Sequence, residues 1–135
     1  MFEIAKIDLS LCTFMIVHNS IGSSVVDKLG NEEQRKRLLP DLISLNKLIC
    51  FGLTEPDYGS DASSLKTTAK KVEGGYLITG EKRWIGNGTF ADYIVVFARN
   101  EAEGGKVQAF VVEKGSKGLV TKKIEGKYSL RTTQK

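Results

Sequence analysis

Two short stretches hold the residues of this chain whose types and spacing could do chemistry. The first is GLTEPDYGSD, Gly52 to Asp61. Thr54 offers a hydroxyl donor, Pro56 stiffens the backbone, and Gly59 and Ser60 can turn main-chain N–H groups toward an anion, a composition that suits phosphate. Its acids, Glu55, Asp57 and Asp61, read on composition alone as solvated turn residues. The second stretch is EKRWIGNG, Glu81 to Gly88. The single Trp84 stands there beside Ile85, Gly86 and Asn87, at a strand end where a large aromatic could cover a flat ligand. A tryptophan of the core or of a barrel mouth fits the same residues equally well. Cys12 and Cys50 have no metal-ligand spacing and sit in apolar runs as free core thiols.

Stepping outward from these stretches, the first half of the chain has helical periodicity. Ile4, Ile7, Leu11, Phe14 and Met15, then Val25, Val26 and Leu29, recur at helical spacing up to a stop at Gly30. Asn31 and Gln34 make a capping-box pattern for a second helix, whose apolar stripe is Leu38, Leu39, Leu42 and Ile43. Pro40 inside that stripe predicts a kink or a break. From Leu48 onward the period is that of strands: LICFGL, TTAKKV, YLITG, DYIVVFAR, VQAFVVEK and LVTKKI, with turns at Gly74-Gly75, Asn87-Gly88 and Gly104-Gly105. Helices first and then short, closely spaced strands predict an α+β chain with a small antiparallel barrel or sandwich. DYIVVFAR, apolar at its centre, is expected to be buried on both faces. The segment EGKYSLRTTQK reads as a loop or strand start without an apolar partner, so the chain is expected to be a piece of a larger protein.

Composition narrows the function classes. The 135 residues are 41% hydrophobic, enough for a core. A formal net charge of +4 is spread along the chain, and the compact basic run Arg35, Lys36, Arg37 follows Glu32 and Glu33 on one helix, so nucleic acid is not an expected partner. The uncharged span from Leu9 to Val26 approaches the ~17–25 residues that cross a bilayer. Its serines, Thr13, His18 and Asn19 would be costly in lipid, and it reads as a helix buried among protein, with no membrane span. His18 and Asn19 could line a pocket, but a hydrogen-bonded core histidine is the simpler reading and neither is assigned a role.

Taken together, GLTEP followed by GSD and then GEKRWIGNG resemble the two flavin-binding segments of the acyl-CoA dehydrogenase and oxidase family. GNEEQRKRLLPDL, FADYIVVFARN and GLVTKKIEGKYSLR are similar to it as well, so the resemblance covers nearly the whole chain. It implies that residues 1–48 end an N-terminal α-helical domain and 49–135 form an incomplete middle β-barrel domain, with the C-terminal helical domain missing. It implies FAD as cofactor, with Phe51, Leu53 and Thr54 lining the flavin ring, Gly59 and Ser60 at its pyrophosphate, and Trp84, Ile85 and Gly86 along the reactive edge. Ser60 is also implied beside the acyl-CoA substrate. Donors so placed would stabilise negative charge on a reduced flavin.

The same resemblance implies conversion of short-chain acyl-CoA to trans-2-enoyl-CoA in fatty acid β-oxidation. The glutamate base would lie in the missing domain, so no catalytic residue is expected here and the isolated chain should be inactive. A homo-oligomer is implied for the full-length form. Two departures stand out: Tyr58 replaces a small residue, and Gly86 stands where dehydrogenases commonly have Thr or Ser. The Trp-Ile-Gly-Asn form resembles the peroxisomal short-chain acyl-CoA oxidases of plants, which makes the peroxisome the expected compartment and the mitochondrion the alternative. A different class of reading remains, a non-catalytic truncated barrel module that associates with full-length subunits.

Overall fold

A computed structural model describes residues 2–130. Four α-helices, α1 (Phe2–Ile7), α2 (Leu9–Met15), α3 (Ser24–Leu29) and α4 (Glu32–Ile43), precede five strands. The strands are β1 (Ile49–Gly52), β2 (Thr68–Val72), β3 (Gly75–Thr79), β4 (Tyr93–Asn100) and β5 (Lys106–Glu113). The α+β order is as expected from the periodicities.

The helical half is less regular than its spacing implies. Asp8 caps α2, accepting from the N–H groups of Ser10 and Leu11 at 2.7 and 3.3 Å, and so divides α1 from α2. Between α2 and α3, Ile16–Ser23 winds as a π-helix. This wide turn presses Gly22 onto β1: a Cβ there would lie 2.8 Å from Ile49 Cγ2. The run Leu9–Leu29, at mean hydropathy 1.4, is long and apolar enough to cross a membrane by length and composition. Its buried residues, Cys12, His18, Gly22 and Val26, tie it to the rest of the fold. Asn19 is exposed.

Helix α4 carries the predicted capping box, Asn31 N–H to Gln34 Oε1 at 2.9 Å and Gln34 N–H to Asn31 Oδ1 at 2.8 Å. Pro40 does not break it in two. It lies in the last turn of an uninterrupted helix, where its carbonyl accepts from Ser44 N–H at 3.1 Å and Ser44 Oγ at 2.9 Å.

The sheet is mixed rather than antiparallel throughout. β4 pairs parallel with β1 along Ile49–Gly52 and parallel with β2 at Arg99 and Asn100, while β2–β3 and β4–β5 are antiparallel. The β2–β3 hairpin and the turns around it serve as the crossover that a parallel β1–β4 pair needs. Asp92 fastens the start of that pair: its Oδ2 accepts from Leu48 N–H at 2.9 Å and its own N–H donates to Leu48 O at 2.8 Å. LVTKKI forms no strand; residues 119–124 are irregular. Of the expected loop or strand start over 125–135, residues 131–135 lie outside the described residues.

β4 is buried on both faces at Ile94, Val95 and Val96, as its apolar centre predicts. On one face Val95 and Ile49 pack with Val26, Leu38 and Leu42 of the helices. On the other, Ile94 and Val96 pack with Cys50, Ile85 and Ala91. Burial pushes the Cys50 thiol up to about 12, as befits a core thiol.

Candidate functional site

β1 delivers the first stretch and the chain after β3 delivers the second. Phe51, the third residue of β1, tilts against Phe97 of β4 with ring centroids 5.0 Å apart. Leu53 and Thr54 follow at the strand's end, half-buried. The second stretch runs beside them: Arg83 N–H donates to Thr54 O at 2.8 Å, and Lys82 Nζ donates to Leu53 O at 3.0 Å. Trp84, Ile85 and Gly86 thereby start next to Leu53 and Thr54. Two segments separated by almost thirty residues of sequence become neighbours.

The three residues after Arg83 have different environments. Trp84 is 57% exposed, with the Arg83 guanidinium 4.8 Å from its ring centroid and a left-handed backbone at φ +64°. The core tryptophan that the sequence also allows is thus excluded. Ile85 is buried in the core beside Cys50 and Ile94, so its side chain belongs to packing. Gly86 is half-buried. Asn87, 1% exposed and at φ +64°, donates from Nδ2 to Phe14 O at 3.4 Å, while its Oδ1 is buried without a partner among the described residues. Its link to Phe14 ties this loop to α2.

Gly59 and Ser60 stand on the exposed part of the first loop. Around an added Gly59 Cβ nothing lies within 4 Å, so the main chain there is open to a ligand. Asp61 next to them accepts from Ser63 Oγ at 2.8 Å, and the Ser64 and Ser63 hydroxyls hold its carboxyl below the usual carboxylate range. Tyr58 is half-buried, with the Lys66 ammonium 5.4 Å from its ring centroid.

Glu55 corrects the expectation of solvated acids. It is 5% exposed and accepts four hydrogen bonds. Oε2 takes Lys66 N–H at 2.6 Å; Oε1 takes Thr67 N–H at 2.9 Å, Thr67 Oγ1 at 2.5 Å and Lys82 Nζ at 2.8 Å. Burial alone would raise its carboxyl, but these donors outweigh burial and hold it at about 2. Lys82 has the converse problem, with burial lowering its ammonium and Glu55 restoring it only in part. Neither residue stands out in the sequence, because the partners that set them apart are brought together only by the fold.

His18 is a core residue, as its simpler reading holds. It is fully buried, its Nδ1 accepts from Ile49 N–H at 3.2 Å, and its Nε2 lies 2.9 Å from Leu42 O. An acceptor at Nδ1 leaves the proton on Nε2, so the ring is a neutral bridge between α4 and β1. No group of Cys, His, Asp and Glu among the described residues could hold a metal.

The residues present suit a flavin dinucleotide. An open glycine backbone faces outward at 59, the Thr54 hydroxyl makes no hydrogen bond among the described residues, and an exposed indole stands at the adjoining segment. The resemblance of the sequence is matched by comparison with known proteins. Residues 50–135 match the acyl-CoA dehydrogenase middle domain and residues 1–46 the acyl-CoA dehydrogenase N-terminal domain. An acyl-CoA dehydrogenase of Bacillus subtilis (strain 168) is 41% identical over 98% of this chain and 36% of its own length. The acyl-CoA dehydrogenase of Bacillus anthracis complexed with FAD superposes with a TM-score of 0.84 at 39% identity, covering 93% of this chain and 22% of that one. A glutaryl-CoA dehydrogenase from Mycobacterium smegmatis in complex with FADH2 superposes with a TM-score of 0.86 at 32% identity, over 94% and 32%. The chain therefore spans about a third or less of the length of these relatives. With both domain matches and the fold in agreement, the chain belongs to the acyl-CoA dehydrogenase family.

Proposed function

We propose that this chain is the FAD- and acyl-CoA-binding part of a flavin-dependent oxidoreductase that converts short-chain acyl-CoA to trans-2-enoyl-CoA in fatty acid β-oxidation. The observation that carries the reading is the junction of Leu53 and Thr54 with Lys82 and Arg83, which assembles one surface from the two stretches. Bound FAD would supply the hydride acceptor. Around it, the main chain of Leu53 and Thr54 and the Thr54 hydroxyl act as donors that favour a negatively charged ring. Gly59 and Ser60 offer backbone N–H groups to the pyrophosphate, and Ser60 also meets the acyl-CoA. Trp84 and Gly86 bound the site on the other side, and Ile85 anchors them in the core.

No residue of this chain is assigned the proton abstraction. We assign that base to a segment outside these residues, so the chain by itself is expected to bind and position without turnover. Either oxygen, yielding peroxide, or an electron-transfer protein takes the electrons; Gly86, which brings no hydroxyl, favours the former. A homo-oligomer in the full-length form and a peroxisomal location, with the mitochondrion as alternative, go with this reading. So does the absence of nucleic acid or a membrane span among its interactions.

A second reading has support in the exposed Leu29, Ile43 and Ile7, at 70, 78 and 89%. It is a non-catalytic module that associates with full-length subunits. Titration of the purified chain with FAD, followed by flavin fluorescence, tests the choice. Saturable binding in the micromolar range without acyl-CoA oxidation is expected. A chain that leaves flavin unchanged but coprecipitates a full-length homologue would favour the module.

A further inference from the structure

Buried ion pairs are a poor route to stability, since well-packed apolar side chains often serve as well. The pair of Lys82 and Glu55, whose side chains are 10% and 5% exposed, therefore asks for another explanation. What an ammonium and a carboxylate provide is direction. Glu55 is saturated by donors from Lys66, Thr67 and Lys82, which fixes the carboxylate against the start of β2. The fixed carboxylate holds Lys82 Nζ, and Nζ then captures Leu53 O at 3.0 Å. A trans peptide is planar, with C=O and N–H pointing to opposite sides. Capturing the Leu53 carbonyl thus sets the direction of the Thr54 N–H. One residue further, Thr54 O accepts from Arg83 N–H, so the same lysine sits at the point that spaces Thr54 from Trp84.

We propose that Lys82, held in place by Glu55, is a positioning residue of the flavin site: it aims the Thr54 N–H at the cofactor and sets the spacing between residues 53–54 and 84–86. The inference rests on the flavin reading above. A purely structural pair would affect folding alone, whereas a positioning pair changes flavin affinity in a chain that is still folded. Neither residue is assigned a catalytic role.

The test is FAD titration of the 135-residue chain and its variants, by flavin fluorescence, at a temperature where circular dichroism shows each to be folded. Lys82→Met and Glu55→Gln should weaken FAD binding at least tenfold and shift the absorption spectrum of the bound flavin. Lys82→Arg, which keeps the charge and the donors, should recover most of the affinity. Arg37→Met, which breaks the exposed pair with Glu113 at 2.9 Å, should bind as the parent does. Thr67→Val removes only the hydroxyl from Glu55 and gives a milder case, about threefold, should the first two variants fail to fold. Equal affinity and spectrum in folded Lys82→Met, or in Thr67→Val, overturns the inference and leaves the flavin reading standing. A parent chain that binds no FAD overturns both.

Discussion

Lys82 Nζ lies 2.8 Å from Glu55 Oε1, so the loop after β1 and the chain after β3 are joined inside the protein rather than at its surface. The carboxylate is ionised because four donors face it, and its folded value of about 2 is far below the ordinary 4.5.

That difference makes the fold acid-sensitive. A carboxyl whose folded pKa is depressed contributes stability in full above its unfolded value and loses it as pH falls toward the folded value. The window here runs from about 4.5 down to about 2. Its full size is on the order of 3 kcal/mol. Urea unfolding of the parent chain should show stability falling steadily across this window, and Glu55→Gln should flatten that part of the profile while lowering the plateau at neutral pH. A profile of identical shape in both would place the acid sensitivity elsewhere, for example at Asp92, whose carboxyl is also lowered: burial opposes the shift, and the Leu48 N–H overcomes it.

His18 should be worth more to folding than its size suggests. Leucine in its place would leave Ile49 N–H buried without its acceptor, while Leu42 O would keep only the N–H of Leu45 at 3.3 Å. An orphaned buried N–H costs ~1–3 kcal/mol, so His18→Leu is expected to lower stability by about that amount in chemical denaturation. A loss below about 1 kcal/mol would mean that water reaches these groups.

The π-helical turn has its own probe. An alanine Cβ at position 22 would meet Ile49 Cγ2 at 2.8 Å and Val17 O at 3.0 Å. Overpacking of this kind costs ~1–3 kcal/mol. Gly22→Ala should lower the denaturation midpoint by a corresponding amount, and an unchanged midpoint would show that the helix can draw back from β1.

What could be read from sequence divides along physical lines. The strands from β1 to β5, the capping box of α4 and the double burial of β4 are local or periodic properties, so the residue pattern carries them. Strand direction is not periodic: nothing in ICFG or YIVVFARN distinguishes a parallel pair from an antiparallel one, and the hairpin acting as crossover appears only in the fold. Pro40 forfeits the N–H that would bond Lys36 O, yet α4 runs on through it to Ile43, because Leu38 and Leu42 on either side are buried in the core. Glu55 looks like Asp57 and Asp61 on paper. What sets it apart is Lys82 and the N–H groups of Lys66 and Thr67, which are tertiary partners. The site residues followed from resemblance, and the structure adds how β1 and the Lys82–Arg83 segment bring two of their groups together.

Trp84 offers the sharpest separation of stability from binding. Its backbone is at φ +64°, a conformation that a bulky residue adopts at a cost and glycine adopts freely. Its side chain is more than half exposed, so deleting it removes little buried area. Trp84→Gly should therefore relieve strain of ~1 kcal/mol, offset by a similar entropy cost in the unfolded chain. The net change in stability is expected to stay within about 1 kcal/mol of zero. Binding should respond quite differently, because the exposed indole, one residue beyond the Arg83 N–H that meets Thr54 O, is the large flat surface that the flavin reading needs. Loss of such an aromatic anchor typically costs ~2 kcal/mol or more, which is over tenfold in affinity. Urea unfolding and FAD titration on the same preparations decide it. A stable variant that no longer binds flavin supports Trp84 as a wall of the site. A variant that binds as before shows that the indole faces something other than the cofactor, and one that unfolds shows that the exposed ring is holding the loop together through Arg83.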